Sequence, residues 1–104
     1  MARYIVLHTH QRPPEEFAAA FTPEALQQMA GPFVGTPGGP TCLYSWNGLP
    51  YGRGEQLVCL WEAPSAEAVQ AELTAIGMDY WFSNDIMRVD EINWAELAKL
   101  AHAA

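Results

Sequence analysis

The order in which strand-like and helix-like segments follow one another is what most constrains the fold of this chain. Segments rich in β-branched and aromatic residues, or with alternating apolar residues, indicate strands, because successive strand side chains point to opposite faces of a sheet. Four such segments occur, at residues 3–9, 41–46, 55–62 and 85–92. On the first strand, Tyr4, Val6 and His8 are expected to share one face, which His10 continues.

Helix signals fill the gaps between these strands. Apolar residues recur at helical spacing, and each stretch follows a capping residue or a proline, which is tolerated in a first turn. Residues 14–30 are therefore expected to form one broken helix or two short ones, residues 31–40 a glycine- and proline-rich loop, and residues 78–83 an aromatic link. The expected helix starts are Pro14, Thr22-Pro23, Ser65 and Asn93 (with Glu96 completing a capping box), and the expected ends are Gly31 and Gly77.

The resulting order, β-α-β-β-α-β with a C-terminal helix, predicts an α+β fold of the ferredoxin-like type with an antiparallel sheet. At 104 residues the chain is expected to form one domain over residues 1–104. Helices would cover only one face of such a sheet, yet both faces of the strands are apolar. We therefore expect a homodimer in which the open sheet faces pack together.

Charge and composition exclude several classes of partner. Twelve acidic residues against five basic ones give a net charge of −7, which argues against binding to nucleic acid or to anionic membranes. No apolar stretch is long enough to span a bilayer and no signal peptide is evident, so we expect a cytoplasmic protein. Cys42 and Cys59 are then expected to be reduced, small hydrophobic residues of paired strands, opposite each other if the hairpin is symmetric.

Residues 57–69 carry a family resemblance. Their sequence, Leu-Val-Cys-Leu-Trp-Glu-Ala-Pro-Ser-Ala-Glu-Ala-Val, resembles the strand-to-helix segment of the DUF4242 family, small bacterial proteins of which some are described as nickel-binding. Val6-Leu7-His8-Thr9 resembles the end of that family's first strand, and residues 85–92 its last strand more loosely. The likeness is close over about 13 residues and extends over roughly half the chain.

The resemblance implies a ferredoxin-like fold that dimerises as an α/β barrel, with metal binding as described for some members. His8, Cys59 and Glu62 match the family's motif positions. Members often have histidines in the second helix, whereas residues 70–76 here contain none. The chain is therefore expected to keep the fold without the second-helix histidines as metal ligands.

The two imidazoles of His8-Thr9-His10 are the first candidate site. Histidines two apart on one strand face suit nickel or zinc, and Glu62, Cys59 or a partner chain would have to complete the site. The same pair suits acid–base chemistry, because histidine titrates near neutrality. Alternatively, His10 lies at the edge of the following loop, and His8 is a hydrogen-bonded residue of the core or interface.

A pocket between sheet and helices is the second candidate site. Aromatic residues are expected to line it for a small apolar or aromatic ligand, although packing in the core and dimer interface is the commoner reason for such residues. The residues chosen for the pocket are Tyr44, Trp46, Trp61, Tyr80 and Trp81. The sequence thus leaves open a metal- or ligand-binding protein, an isomerase- or monooxygenase-type enzyme with His8 as acid or base, and an accessory protein with a dimer face only.

Overall fold

A computed structural model describes residues 1–53 and 56–103 of the chain. The fold is α+β, with four antiparallel strands in one open sheet and four α-helices. The strands are β1 (Ala2–His10), β2 (Thr41–Asn47), β3 (Gln56–Ala63) and β4 (Phe82–Val89). The helices are α1 (Pro14–Ala20), α2 (Pro23–Val34), α3 (Ala66–Ala75) and α4 (Trp94–Ala103), and short 3₁₀ turns occupy Leu49–Tyr51 and Met78–Tyr80.

The sheet has the strand order β2-β3-β1-β4. Strands β1 and β3 form its centre, and His8 of β1 lies opposite Leu57 on one side and Asn84 on the other. All three pairings are antiparallel. Helices α1 and α2 connect β1 to β2, a hairpin connects β2 to β3, and α3 connects β3 to β4. As a result β1 lies between β3 and β4, which both come later in the chain.

The predicted cap residues begin three of the helices. The Thr22 hydroxyl accepts from the Ala25 amide at 3.2 Å, and the Ser65 hydroxyl accepts from the Ala68 amide at 3.1 Å. Asn93 Oδ1 accepts from the Glu96 amide at 3.1 Å before α4. Each side chain satisfies a donor that the first helical turn leaves unpaired, which explains why these boundaries were readable from the sequence.

The bounds of α2 and β4 differ most from those expected. Helix α2 continues through Gly31 and Pro32 and ends at Gly35, where φ is +69° and a side chain would clash with the Pro40 carbonyl. The expected C-cap at Gly31 is therefore wrong, because a glycine with helical dihedrals does not by itself end a helix. Strand β4 begins at Phe82, within the expected aromatic link, because residues 82–84 pair with β1. The expected start of the third strand, Glu55, lies outside the described residues.

The expected pairing of Cys42 with Cys59 is also wrong. Cys42 lies opposite Trp61, and Ser45 lies opposite Cys59, because the register shifts between Cys42 and Tyr44. Such a bulge inserts an extra residue into one strand and turns the following side chains over. As a result Cys42 packs against the core, whereas the sequence pattern had placed it on the same face as Tyr44.

The core lies between one sheet face and helices α1 and α3. Its buried members are alternate strand residues together with Phe17 of α1, Val69 and Leu73 of α3, and Met78 of the second 3₁₀ turn. On the other face, Tyr44, Trp46 and Met87 are about half exposed or more. We call this the open face; it also carries the partly buried Ile5, Leu7, Val58 and Leu60.

Helix α4 lies apart from this core. Residues 94–102 are all exposed, including Trp94 at 74% and Leu100 at 67%. Its apolar stripe therefore has no packing partner within the described part of the chain. None of the helices in residues 1–53 and 56–103 has the length and apolar content needed to cross a membrane.

Candidate functional site

A cavity of about 260 Å³ lies between the sheet and helices α1 and α2. The strands contribute its floor, and the helices contribute a mainly apolar wall that includes three phenylalanine rings. Met78 of the second 3₁₀ turn also lines it. The strand residues are His8, Ser45, Asn47, Leu57, Cys59 and Phe82, and the helix residues are Phe17, Phe21, Leu26, Met29, Ala30 and Phe33.

His8 is one of the polar residues of the cavity floor. It is 2% exposed, and its Nδ1 lies 2.6 Å from Asn84 Oδ1 on the neighbouring strand. Its Nε2 is buried and makes no hydrogen bond to any described residue. An unpaired buried nitrogen is costly, so native structures usually give such an atom a partner or a role.

The surroundings of His8 favour the neutral ring. Burial lowers the pKa of His8, the hydrogen bond to Asn84 opposes that change, and the nearby His10 lowers the pKa further. Burial dominates because the imidazolium loses its hydration among apolar side chains. The ring is therefore neutral at neutral pH and keeps one unprotonated nitrogen.

His10 shares the sheet face of His8 but lies outside the cavity wall. Its ring packs edge-on against Phe17, with centroids 5.2 Å apart, and at a tilt against Phe82 at 5.1 Å. Burial lowers the pKa of His10 as well. The structure therefore brings the two imidazoles to one face, each seated against aromatic rings.

Glu62 is not brought to the two histidines. It lies opposite Arg3, on the open face of β3, with Arg3 Nε 3.8 Å from its carboxylate. Within the described residues, no group of three His, Cys, Asp or Glu side chains is placed to hold a metal ion. The donors present thus do not fit the implied nickel or zinc site, which requires at least three protein ligands.

The five aromatic residues predicted for the pocket lie elsewhere. Tyr44 and Trp46 stack on the open face with centroids 6.0 Å apart, and Trp61 is completely buried in the core. Tyr80 is 56% exposed beneath the Arg12 guanidinium, and Trp81 packs edge-on against it. None of the five lines the cavity.

Phenylalanines form the aromatic part of the cavity instead. Phe17 and Phe21 stack with centroids 4.2 Å apart, and Phe82 approaches Phe17 at 5.3 Å. The helical spacing of Phe17 and Phe21 was visible in the sequence but indicated only an apolar stripe, and Phe82 was expected in the aromatic link. No sequence pattern singled out Asn84, because its contact with His8 depends on which β1 residue lies opposite it in the sheet.

A cluster of sulfur and hydroxyl groups forms one side of the cavity floor. Ser45 Oγ lies 3.0 Å from Cys59 Sγ and 3.6 Å from Cys42 Sγ, and both thiols are free. A hydrogen bond with Cys42 and burial raise the pKa of Cys59. The same hydrogen bond and that of Ser45 lower the pKa of Cys42.

Comparison with known proteins adds no relative to this description. No family model, no curated protein and no solved structure matches the chain. The resemblance of residues 57–69 to the DUF4242 family therefore stays a prediction from that segment. The function has to be argued from the cavity, its buried histidine and the exposed apolar surfaces.

Proposed function

We propose that the protein binds a small, mainly apolar molecule in the cavity between the sheet and helices α1 and α2. The observation that carries this proposal is the cavity of about 260 Å³ beside the buried, unpaired Nε2 of His8. Ligand sites are typically apolar concavities with a few placed polar groups. The volume lies just below the range for drug-sized ligands, which points to a molecule of one or two rings.

An enzyme that uses this cavity is the second candidate. A neutral imidazole held by its other nitrogen can accept a proton from a bound substrate, which is the step an isomerase requires. His8 meets that description, since Asn84 occupies Nδ1 and Nε2 is unpaired. A monooxygenase-type reaction in the same cavity is the alternative enzymatic activity.

Binding is tested by titrating the protein with naphthalene in a calorimeter. Ala30 lines the cavity from α2, so Ala30→Trp should fill it and weaken binding at least tenfold. Ala19→Trp is the matched control, because Ala19 is an exposed residue of α1 outside the cavity wall. Equal affinity in both variants would show that the molecule binds elsewhere, and an absence of binding to wild type would contradict the proposal.

We also propose that the chain is ferredoxin-like and forms a homodimer through the open face, as a dimeric α/β barrel. The support is the strand order β2-β3-β1-β4 and the half-exposed Tyr44, Trp46 and Met87 on that face. Contiguous exposed apolar surface commonly marks an interface. The two free thiols are in keeping with a cytoplasmic location.

Sedimentation equilibrium tests the dimer. Leu60 lies on the open face of the central strand β3, so Leu60→Glu should place a charge in the interface and give a monomer. Tyr51→Glu is the control, because Tyr51 is 85% exposed in the turn beyond β2. Wild-type protein that stays monomeric at tens of micromolar would contradict the proposal.

Nickel or zinc binding at His8 and His10 is the remaining proposal, suggested by the sequence. It requires a third ligand that the described residues do not place beside the two histidines, since Glu62 lies on the opposite face of the sheet. Titration with Ni²⁺ or Zn²⁺ tests this proposal. A metal that binds wild type but not His10→Gln would support a metal site at the two histidines, because His10 does not line the cavity.

A further inference from the structure

A chain of hydrogen bonds behind His8 fixes the orientation of Asn84. The Asp79 carboxylate accepts from Thr74 Oγ1 at 2.6 Å and from Gln70 Nε2 at 3.1 Å. Its third donor is Asn84 Nδ2 at 3.2 Å. Because a carboxylate only accepts, the amide nitrogen of Asn84 must face Asp79 and its Oδ1 must face His8.

The orientation of Asn84 in turn selects the tautomer of His8. An amide oxygen only accepts, so the hydrogen of the neutral ring sits on Nδ1, 2.6 Å from Asn84 Oδ1. Nε2 is left with a lone pair and without a partner among the described residues. His8, which lines the cavity, therefore carries an unpaired acceptor, and a ligand that reaches this nitrogen must supply a hydrogen-bond donor.

The cavity wall restricts the charge and shape of that donor. Its described lining contains no Asp, Glu, Lys or Arg, so neither an anion nor a cation would find a countercharge there. The rings of Phe17, Phe21, Phe33 and Phe82 favour a flat aromatic body, which packs against them edge-on or offset.

We propose that the ligand is a neutral aromatic molecule with an acidic hydroxyl, a phenol or its enol equivalent, which donates to His8 Nε2. This inference rests on the proposed ligand-binding function and names the class of molecule for the same cavity. Asn84 and Asp79 are positioning residues in this proposal, because they hold the His8 ring in the tautomer whose Nε2 accepts.

The tautomer is tested first, by ¹⁵N NMR of the histidine rings at pH 7.5. The protonated nitrogen of His8 is expected to be Nδ1, and protonation at Nε2 would overturn the inference. Asp79→Asn removes the carboxylate that orients Asn84 and should produce a mixture of tautomers. Asp85→Asn is the matched control, because Asp85 lies on the opposite face of β4, and it should leave the His8 signals unchanged.

The ligand class is tested by calorimetry with 2-naphthol, 2-methoxynaphthalene, naphthalene and 2-naphthoate. We expect 2-naphthol to bind about tenfold more tightly than its methyl ether, which has the same rings but no donor; tenfold corresponds to about 1.4 kcal/mol. His8→Phe should remove that preference, whereas His10→Gln should keep it. Binding of naphthalene in both variants would show that each still forms the cavity.

The outcomes separate this inference from the proposed function. Equal affinity for 2-naphthol and its methyl ether, or tightest binding of 2-naphthoate, would overturn the phenol assignment and leave the apolar cavity as a binding site. Failure of all four compounds to bind would overturn both.

Discussion

His8 and Asn84 are direct partners across β1 and β4, and a 2.6 Å hydrogen bond joins Nδ1 of the ring to Oδ1 of the amide. The bond spans 76 positions in sequence and ties the cavity floor to the polar cluster around Asp79. It gives a buried imidazole a single fixed orientation, on which the ligand chemistry proposed for the cavity depends.

Replacing Asn84 should destabilise the fold through His8. Asn84→Leu leaves the buried Nδ1–H without an acceptor, and an unsatisfied buried donor costs about 1–3 kcal/mol. Urea unfolding followed by tryptophan fluorescence measures the change. Ser83→Ala, on the adjacent exposed position of β4, should change the free energy of unfolding by less than about 0.5 kcal/mol. Similar losses in the two variants would argue against a special role for the bond.

The free energy of unfolding should fall as the pH drops below about 6.5. The folded pKa values of His8 and His10 are both lowered from 6.5, mainly by burial, so the unfolded chain binds more protons below that pH. Stability is then fully present above pH 6.5 and is lost as the pH falls towards the folded pKa values, with a slope of up to about 1.4 kcal/mol per pH unit for each proton.

Urea unfolding between pH 5.5 and 8 measures this slope, above the range in which most carboxylates titrate. His8→Phe removes one of the two histidines whose pKa is lowered, so its slope should be shallower than that of wild type. A slope that is identical in the two proteins would mean that His8 does not contribute to the pH dependence.

The two thiols should react at very different rates. Cys59 is 2% exposed, and its hydrogen bond with Cys42 and its burial raise its pKa. Cys42 is only partly buried, and its hydrogen bonds lower its pKa, so it offers more thiolate. Iodoacetamide at pH 8 should label Cys42 first, as mass spectrometry of tryptic peptides would show. Faster labelling of Cys59 would contradict the described placement.

The parts of the fold that depend on local chemistry were predictable from the sequence. Caps at Thr22, Ser65 and Asn93 act on the amides of the next turn, so neighbouring residues contain the whole signal. The α+β class and the alternation of β1 followed from periodicity in the same way.

The cavity was harder to predict because it depends on contacts between distant segments. The bulge after Cys42 decides which β2 residues face the helices, and it brought Ser45 rather than Tyr44 to the cavity. His8 was singled out as a candidate and lies in the cavity lining, but its partner Asn84 is identified only by the β1–β4 register. Glu62 was chosen by resemblance and lies on the open face, since neighbouring strand positions alternate between faces.

The last prediction contrasts two leucines on different helices. Leu73 of α3 is completely buried in the core, so Leu73→Ala should lower the free energy of unfolding by about 2–5 kcal/mol through lost burial and the cavity left behind. Leu100 of α4 is 67% exposed, so Leu100→Ala should cost less than about 0.5 kcal/mol at low protein concentration, at which any dimer is dissociated.

Repeating both measurements at high protein concentration tests whether α4 joins an interface. A cost for Leu100→Ala that grows with concentration, while that for Leu73→Ala stays constant, would place the α4 stripe against a second copy, since association stabilises the folded state by mass action. A cost of several kcal/mol for Leu100→Ala at every concentration would instead contradict the exposed position of α4.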